Sequence, residues 1–195
     1  MANGDERLES ALQAVLATIP SATPLERAFL LKRAGDLCVS MDDRRRALGW
    51  YGRSVDQWLE LGNWEQAALL CRLIVSVQPE AVRARCTLLW IAIGTRHDGD
   101  ALQELSGYVA AAIQHRQTTL AAQQLVWMFD ATTSIPLREQ LVAELIRLGD
   151  ARAEVLRARL HDASATPADP DQLWARVLDA TIGQPAMLAR LASTG

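Results

Sequence analysis

Residues 34–80 read AGDLCVSMDDRRRALGWYGRSVDQWLELGNWEQAALLCRLIVSVQPE, and this stretch decides the fold. Two segments in it follow one template: a short turn, an alanine (Ala47, then Ala67), and apolar residues at helical spacing. The second segment closes on Pro79. Asp42 and Asp43 are placed to cap one helix, and Asn63 with Gln66 to open the next. Between those caps, the helix expected over 43–61 carries two apolar stripes. Ala47, Tyr51, Ser54 and Trp58 form one; Leu48, Gly52, Val55 and Leu59 form the other. A helix that is apolar on two faces is packed on two sides.

Outward from that stretch the helical period continues. Toward the N-terminus, Leu8, Leu12, Val15 and Ile19 share one face of a helix over 5–19, which Pro20 and Pro24 break. Thr23, Pro24 and Glu26 spell a capping box with proline in the first helical position. That helix runs to about 41, with Leu30, Ala34, Leu37, Cys38 and Met41 as its stripe. Toward the C-terminus a helix over 80–94 is followed by a loop at 95–100. A helix over 101–117 carries Leu102, Leu105, Val109 and Ile113, and one over 120–130 carries Ala121, Leu125 and Met128 or Phe129. The next, over 136–148, carries Leu137, Leu141, Leu145 and Leu148. Gly149 stops it, and Asp150 restarts the chain toward Leu160. HDASATPADP (161–170) reads as a linker. Short helices over 171–182 and 185–192 form an apolar pair, suited to capping the stack or docking on a partner. No window alternates like a strand, so the expected class is all-α.

Composition narrows the function classes. The chain has 195 residues, half of them hydrophobic, which is enough for a sizeable core. Its formal net charge of −3 lacks the basic excess that phosphate binding requires, so no nucleic-acid partner is expected. Lys32 is the only lysine. Cys38, Cys71 and Cys86 are odd in number and set among apolar residues, which suits free thiols in a reducing cytoplasm. The N-terminal MANGDERLES has no signal-peptide pattern. The longest apolar run, 86–94, is far short of the roughly 20 residues a bilayer span requires, so no direct membrane insertion is expected.

The segments around Ala47 and Ala67 resemble tetratricopeptide repeats, a family that places small residues where two helices of a hairpin touch. Ala34-Gly35 stand at the family's Leu-Gly site, with Ala47, Tyr51 and Ser54 at its alanine, aromatic and small-residue sites. Gly62, Ala67, Cys71, Ile74 and Pro79 match in the second unit, and Leu88 falls at a third unit's first-helix leucine. The match covers about 24–94. Ala47 and Ala67 lie 20 residues apart, against the family's period of about 34, so one helix must end one unit and begin the next. The resemblance implies an irregular tetratricopeptide-like α-solenoid of antiparallel helix hairpins over 1–160, with a groove lined by first helices. It implies that Lys32, Asp36, Val39 and Ser40 face that groove from the first unit. Asp56, Leu59 and Glu60 would follow from the second, and Arg83 and Cys86 from the third.

Other constellations have plainer readings. Of the six tryptophans, Trp58 and Trp64 fit a core or a helix start, whereas Trp50 and Trp127 lie off their helices' main stripes and are candidate interface aromatics. Arg44, Arg45 and Arg46 read as a solvated first turn beside its acidic cap. His97, Asp98 and Asp100 read as a turn and cap, since a metal site needs more converging ligands. No nucleophile signature, phosphate loop or dinucleotide fingerprint is present, and no cofactor is expected. The expected function is therefore a non-catalytic protein–protein interaction module: an adaptor or accessory subunit of a larger or membrane-associated assembly, presenting its groove to a partner peptide or helix. The alternatives are a self-associating structural protein, that is, a homo-oligomer, and a secretion chaperone of tetratricopeptide type. An enzyme is not expected.

Overall fold

The structure is a computed structural model. It describes residues 2–161, with side chains from residue 4; the expected C-terminal helices and most of the expected linker lie outside the described residues. Those residues form nine α-helices and a 3-10 turn, with no strand among them. The chain divides into two compact units, Met1–Pro79 and Glu80–Gly195.

In the first unit, α1 (Ala2–Thr18) and the 3-10 turn Ile19–Ser21 lead into α2 (Pro24–Ser40). The capping box is formed: Thr23 Oγ1 accepts from the Glu26 N–H, and the Glu26 carboxylate accepts from the Thr23 N–H at 2.9 Å. α3 (Arg44–Glu60) and α4 (Trp64–Val77) open on Asp43 and Asn63, whose side chains accept from the N–H groups of Arg46 and Gln66. α3 packs on α2 and on α4, as its two stripes require. Ala47, Tyr51, Ser54 and Trp58 are buried, as are Val55 and Leu59. In α2 the buried face is Ala28, Leu31, Ala34, Gly35 and Cys38, so Leu31 rather than Leu30 points inward.

The second unit holds α5 (Val82–Gly94), α6 (Asp98–Gln114), α7 (Thr118–Ala131), α8 (Ile135–Arg147) and α9 (Arg152–Ala158) around one core centred on Leu89, Trp90, Leu105, Leu125, Phe129 and Leu141. α6 begins and ends a turn earlier than its sequence pattern suggests. Asp98 and Asp100 lie in its first turn, where acidic groups suit the helix dipole. Its buried face is Ala101, Leu105, Tyr108, Val109 and Ala112, leaving Leu102 and Ile113 exposed.

Five helix ends share one turn. At 41–43, 61–63, 95–97, 115–117 and 148–150 the middle residue has positive φ: Asp42 (56°), Gly62 (68°), Arg96 (58°), Arg116 (56°) and Gly149 (73°). The N–H of the third residue returns to the carbonyl five positions back: Asp43 to Cys38, Asn63 to Trp58, His97 to Ala92, Gln117 to Ala112 and Asp150 to Leu145, all at 2.8–3.0 Å. This bonding satisfies carbonyls that a helix end leaves free. The middle residues are spaced by 20 (42 to 62), 34 (62 to 96), 20 (96 to 116) and 33 (116 to 149) positions.

A shift of 54 residues therefore superimposes element boundaries of the two units. Both α3 and α6 have 17 residues, and both α4 and α7 have 14. Ala47 maps to Ala101, Tyr51 to Leu105, Ser54 to Tyr108, Val55 to Val109, Ala67 to Ala121 and Cys71 to Leu125, and every member of these pairs is buried. With a shift of 53, α5 falls on α8, both of 13 residues. The chain thus repeats a three-helix unit.

Candidate interaction surface

The polar residues expected on α2 form a connected ladder. Lys32, Asp36 and Ser40 are four residues apart and share one helical face. Lys32 Nζ donates to Asp36 Oδ2 at 2.8 Å, and Ser40 Oγ donates to the Asp36 carbonyl at 3.0 Å. The other carboxylate oxygen of Asp36 accepts from the Tyr51 hydroxyl of α3 at 2.8 Å. Tyr51 lies against Gly35, where an added Cβ would stand 2.4 Å from ring atom Cε1. Only glycine lets the ring come this close. Burial first, and then the Asp36 carboxylate, push the Tyr51 hydroxyl pKa well above the ordinary tyrosine value, so it stays a protonated donor.

Val39, one step round the helix, is 46% exposed. With Asp42, Arg44, Ser76 and Val77 it lines an open cavity of about 290 Å³ where the ends of α2 and α4 meet the start of α3. The first unit thus carries a charged ladder and an exposed apolar side chain beside a recess. Asp56 is half-buried; Glu60 is exposed and accepts from Gln57 Nε2 at 2.9 Å. Leu59 is only 1% exposed, and Cys86 is likewise buried, so these two belong to the cores rather than to a groove lining.

Arg83 and Trp127 belong to the second unit. Arg83 is half-buried, and Trp127 packs partly against that unit's core. Trp50 is half-buried, with the Arg53 guanidinium 4.7 Å from its ring centroid. Of the arginine run, Arg46 makes a two-point pair with Glu9 of α1, both bonds 3.1 Å, which ties α1 to the start of α3. Trp58 is buried and meets Phe29 edge-on, ring centroids 5.0 Å apart. Trp90 Nε1 donates to Gln124 Oε1 at 2.8 Å inside the second core.

Burial pushes the Cys86 thiol up to about 12 and raises Cys38 as well, so both are packing groups rather than thiolates. His97 Nδ1 lies 2.8 Å from Thr95 Oγ1, and among the described residues no three His, Cys, Asp or Glu side chains converge as metal ligands. No described helix is long and apolar enough to cross a membrane.

Sequence reasoning named Lys32, Asp36 and Ser40 but not Tyr51, the fourth member of the ladder. Its partner is on another helix, 15 residues away, and only the glycine opposite hints at a close approach. Comparison of the chain with protein-family models, with curated proteins and with solved structures returned no match.

Proposed function

We propose that the chain is a tetratricopeptide-like interaction module, an adaptor or accessory subunit that presents helix faces to a partner protein. The observation that carries this reading is the recurrence of one helix–turn–helix connection at intervals of 20 and 33–34 residues, the longer matching the tetratricopeptide period. Repeats of this kind meet their ordering cost within their own core, so a partner need order only its own segment on binding. The small residues Ala28 and Gly35, which meet Ser54 and Tyr51 of α3, add support. The face offered is α2, with Lys32, Asp36, Ser40 and Val39.

The test is affinity capture of the tagged chain from its own organism in mild detergent, repeated with Lys32→Glu and Val39→Asp. A stoichiometric partner lost in both variants, at unchanged melting temperature, is the expected result. Recovery of the chain alone or only as its own oligomer, or a partner indifferent to both changes, overturns the reading.

A further inference from the structure

We propose that the exposed side of α2 takes an amphipathic helix of a partner protein, whose apolar seam is interrupted by an acidic residue facing Lys32 and a basic residue facing Asp36. This occupant presupposes that the α2 face is the interaction surface. Leu25, Phe29, Lys32, Asp36 and Val39 follow one another at intervals of four, three, four and three residues, the spacing of a coiled-coil seam. The three apolar members are about half exposed, as are the side chains of the two charged ones. The seam runs for roughly 21 Å along α2, at about 1.5 Å per residue. Side chains on a second helix recur at the same interval and stay in step along that length. Those on one face of an extended segment recur every ~6.6 Å and fall out of step. The charges are held in place, because Asp36 accepts from both Lys32 Nζ and the Tyr51 hydroxyl. A partner therefore meets a fixed positive and a fixed negative group one turn apart, and only the complementary order avoids like-charge contact.

The repeat shows what the seam lacks. The 54-residue shift that carries the turn at Asp42 onto that at Arg96 carries Lys32, Asp36 and Val39 of α2 onto Cys86, Trp90 and Ile93 of α5. All three are buried, and Trp90 reaches across to Gln124 of α7. The second unit thus covers this face of its helix with its own side chains. In the first unit a carboxylate stands where the indole would be, and Val39 stays exposed beside the recess that it lines with Val77 of α4. At about 290 Å³ that recess has room for a large apolar side chain. The apolar cover that α5 finds within its own unit reaches α2 only from outside, so the partner helix carries an apolar residue opposite Val39.

The test is fluorescence anisotropy of labelled, synthetic helical peptides titrated with the full chain. The first peptide carries leucines spaced to face Leu25, Phe29 and Val39, a glutamate facing Lys32 and an arginine facing Asp36. Its residues are ordered to run antiparallel to α2, so that the helix dipoles oppose. The second peptide differs only in having arginine in place of that glutamate. The wild type is expected to bind the first peptide about tenfold more tightly than the second. Lys32→Glu should invert that order and Val39→Asp should weaken both peptides, each at unchanged melting temperature. Binding of neither peptide by the wild type, an order that Lys32→Glu leaves unchanged, or binding indifferent to Val39→Asp overturns the proposal. Its failure is distinct from that of the α2 face itself: a captured partner lost in both variants, with neither peptide bound, keeps the face and removes the helix.

Discussion

Gly35→Ala tests the close approach of α2 to Tyr51 of α3. On an isolated helix the change is favourable by roughly 0.5–1 kcal/mol. Here the new Cβ would stand 2.4 Å from Tyr51 Cε1, 2.5 Å from Cδ1 and 3.0 Å from Cζ. The ring is buried and cannot swing into solvent, and its hydroxyl is held by Asp36 at 2.8 Å. Forcing a carbon into a packed site costs about 1–3 kcal/mol. Displacing the ring also weakens a hydrogen bond to a charged acceptor, worth about 1.5–3 kcal/mol. Against the propensity gain, the net destabilisation is about 2–4 kcal/mol. Urea unfolding with unchanged slope measures it. The equivalent pair in the second unit is Leu89 and Leu105, with no aromatic ring. Tyr51→Leu should therefore relieve the clash, so Gly35→Ala costs less in that background, and a double-mutant cycle reads the coupling. A neutral or stabilising Gly35→Ala with the Tyr51–Asp36 bond intact would refute the close approach as a constraint.

Arg96→Gly and Arg116→Gly should each raise stability by about 1 kcal/mol, because the left-handed backbone strains a side chain, whereas Gly62→Ala and Gly149→Ala should lower it; thermal unfolding decides. Asp36→Ala should cost about 1–3 kcal/mol by stranding the Tyr51 hydroxyl, while Lys32→Ala, whose pair is nearly half exposed, should cost under about 0.5 kcal/mol, so equal losses on urea unfolding would contradict the ladder. The hydrogen bond from Arg152, chief among several influences, holds the Asp150 carboxyl below its ordinary value of 3.8. Its contribution is full above that value and fades as pH falls through the lowered one, so Asp150→Asn should flatten the acid limb of a stability–pH curve, and an unchanged limb would count against the pair. Cys38, Cys71 and Cys86 are buried, so a thiol reagent at pH 8 should label the native chain far more slowly than the chain in denaturant; fast native labelling would contradict their packing.

Helix positions were legible in the sequence wherever a cap and an apolar period agreed. The Thr23 box, the Asp43 and Asn63 caps and the double stripe of α3 are local signals, and all are present in the structure. α6 was half misread: Leu105 and Val109 face the core as expected, but Ala101, Tyr108 and Ala112 complete that face in place of Leu102 and Ile113. Alanine and tyrosine carry little weight in a hydrophobic pattern, but alanine fits where helices approach closely. The repeated unit was half visible, as a spacing of 20. Its continuation was hidden because Arg96 and Arg116 stand where glycine would have announced the turn. On the candidate surface, the tetratricopeptide resemblance named Lys32 and Asp36, whereas Tyr51 depends on a contact between helices.

The helices of each unit pack mainly on neighbours close in the chain, which bears on how the protein is made. Short sequence separations close small loops, so assembly is fast and needs no distant segment to arrive. α1 packs on α2, α2 on α3 and α3 on α4, all before Pro79. A ribosome adds about 5–20 residues per second, so Met1–Pro79 can bury its apolar faces while later helices are still being synthesised. The emerging chain then exposes about one helical unit of apolar surface at a time, which limits the interval in which it can aggregate or engage a chaperone.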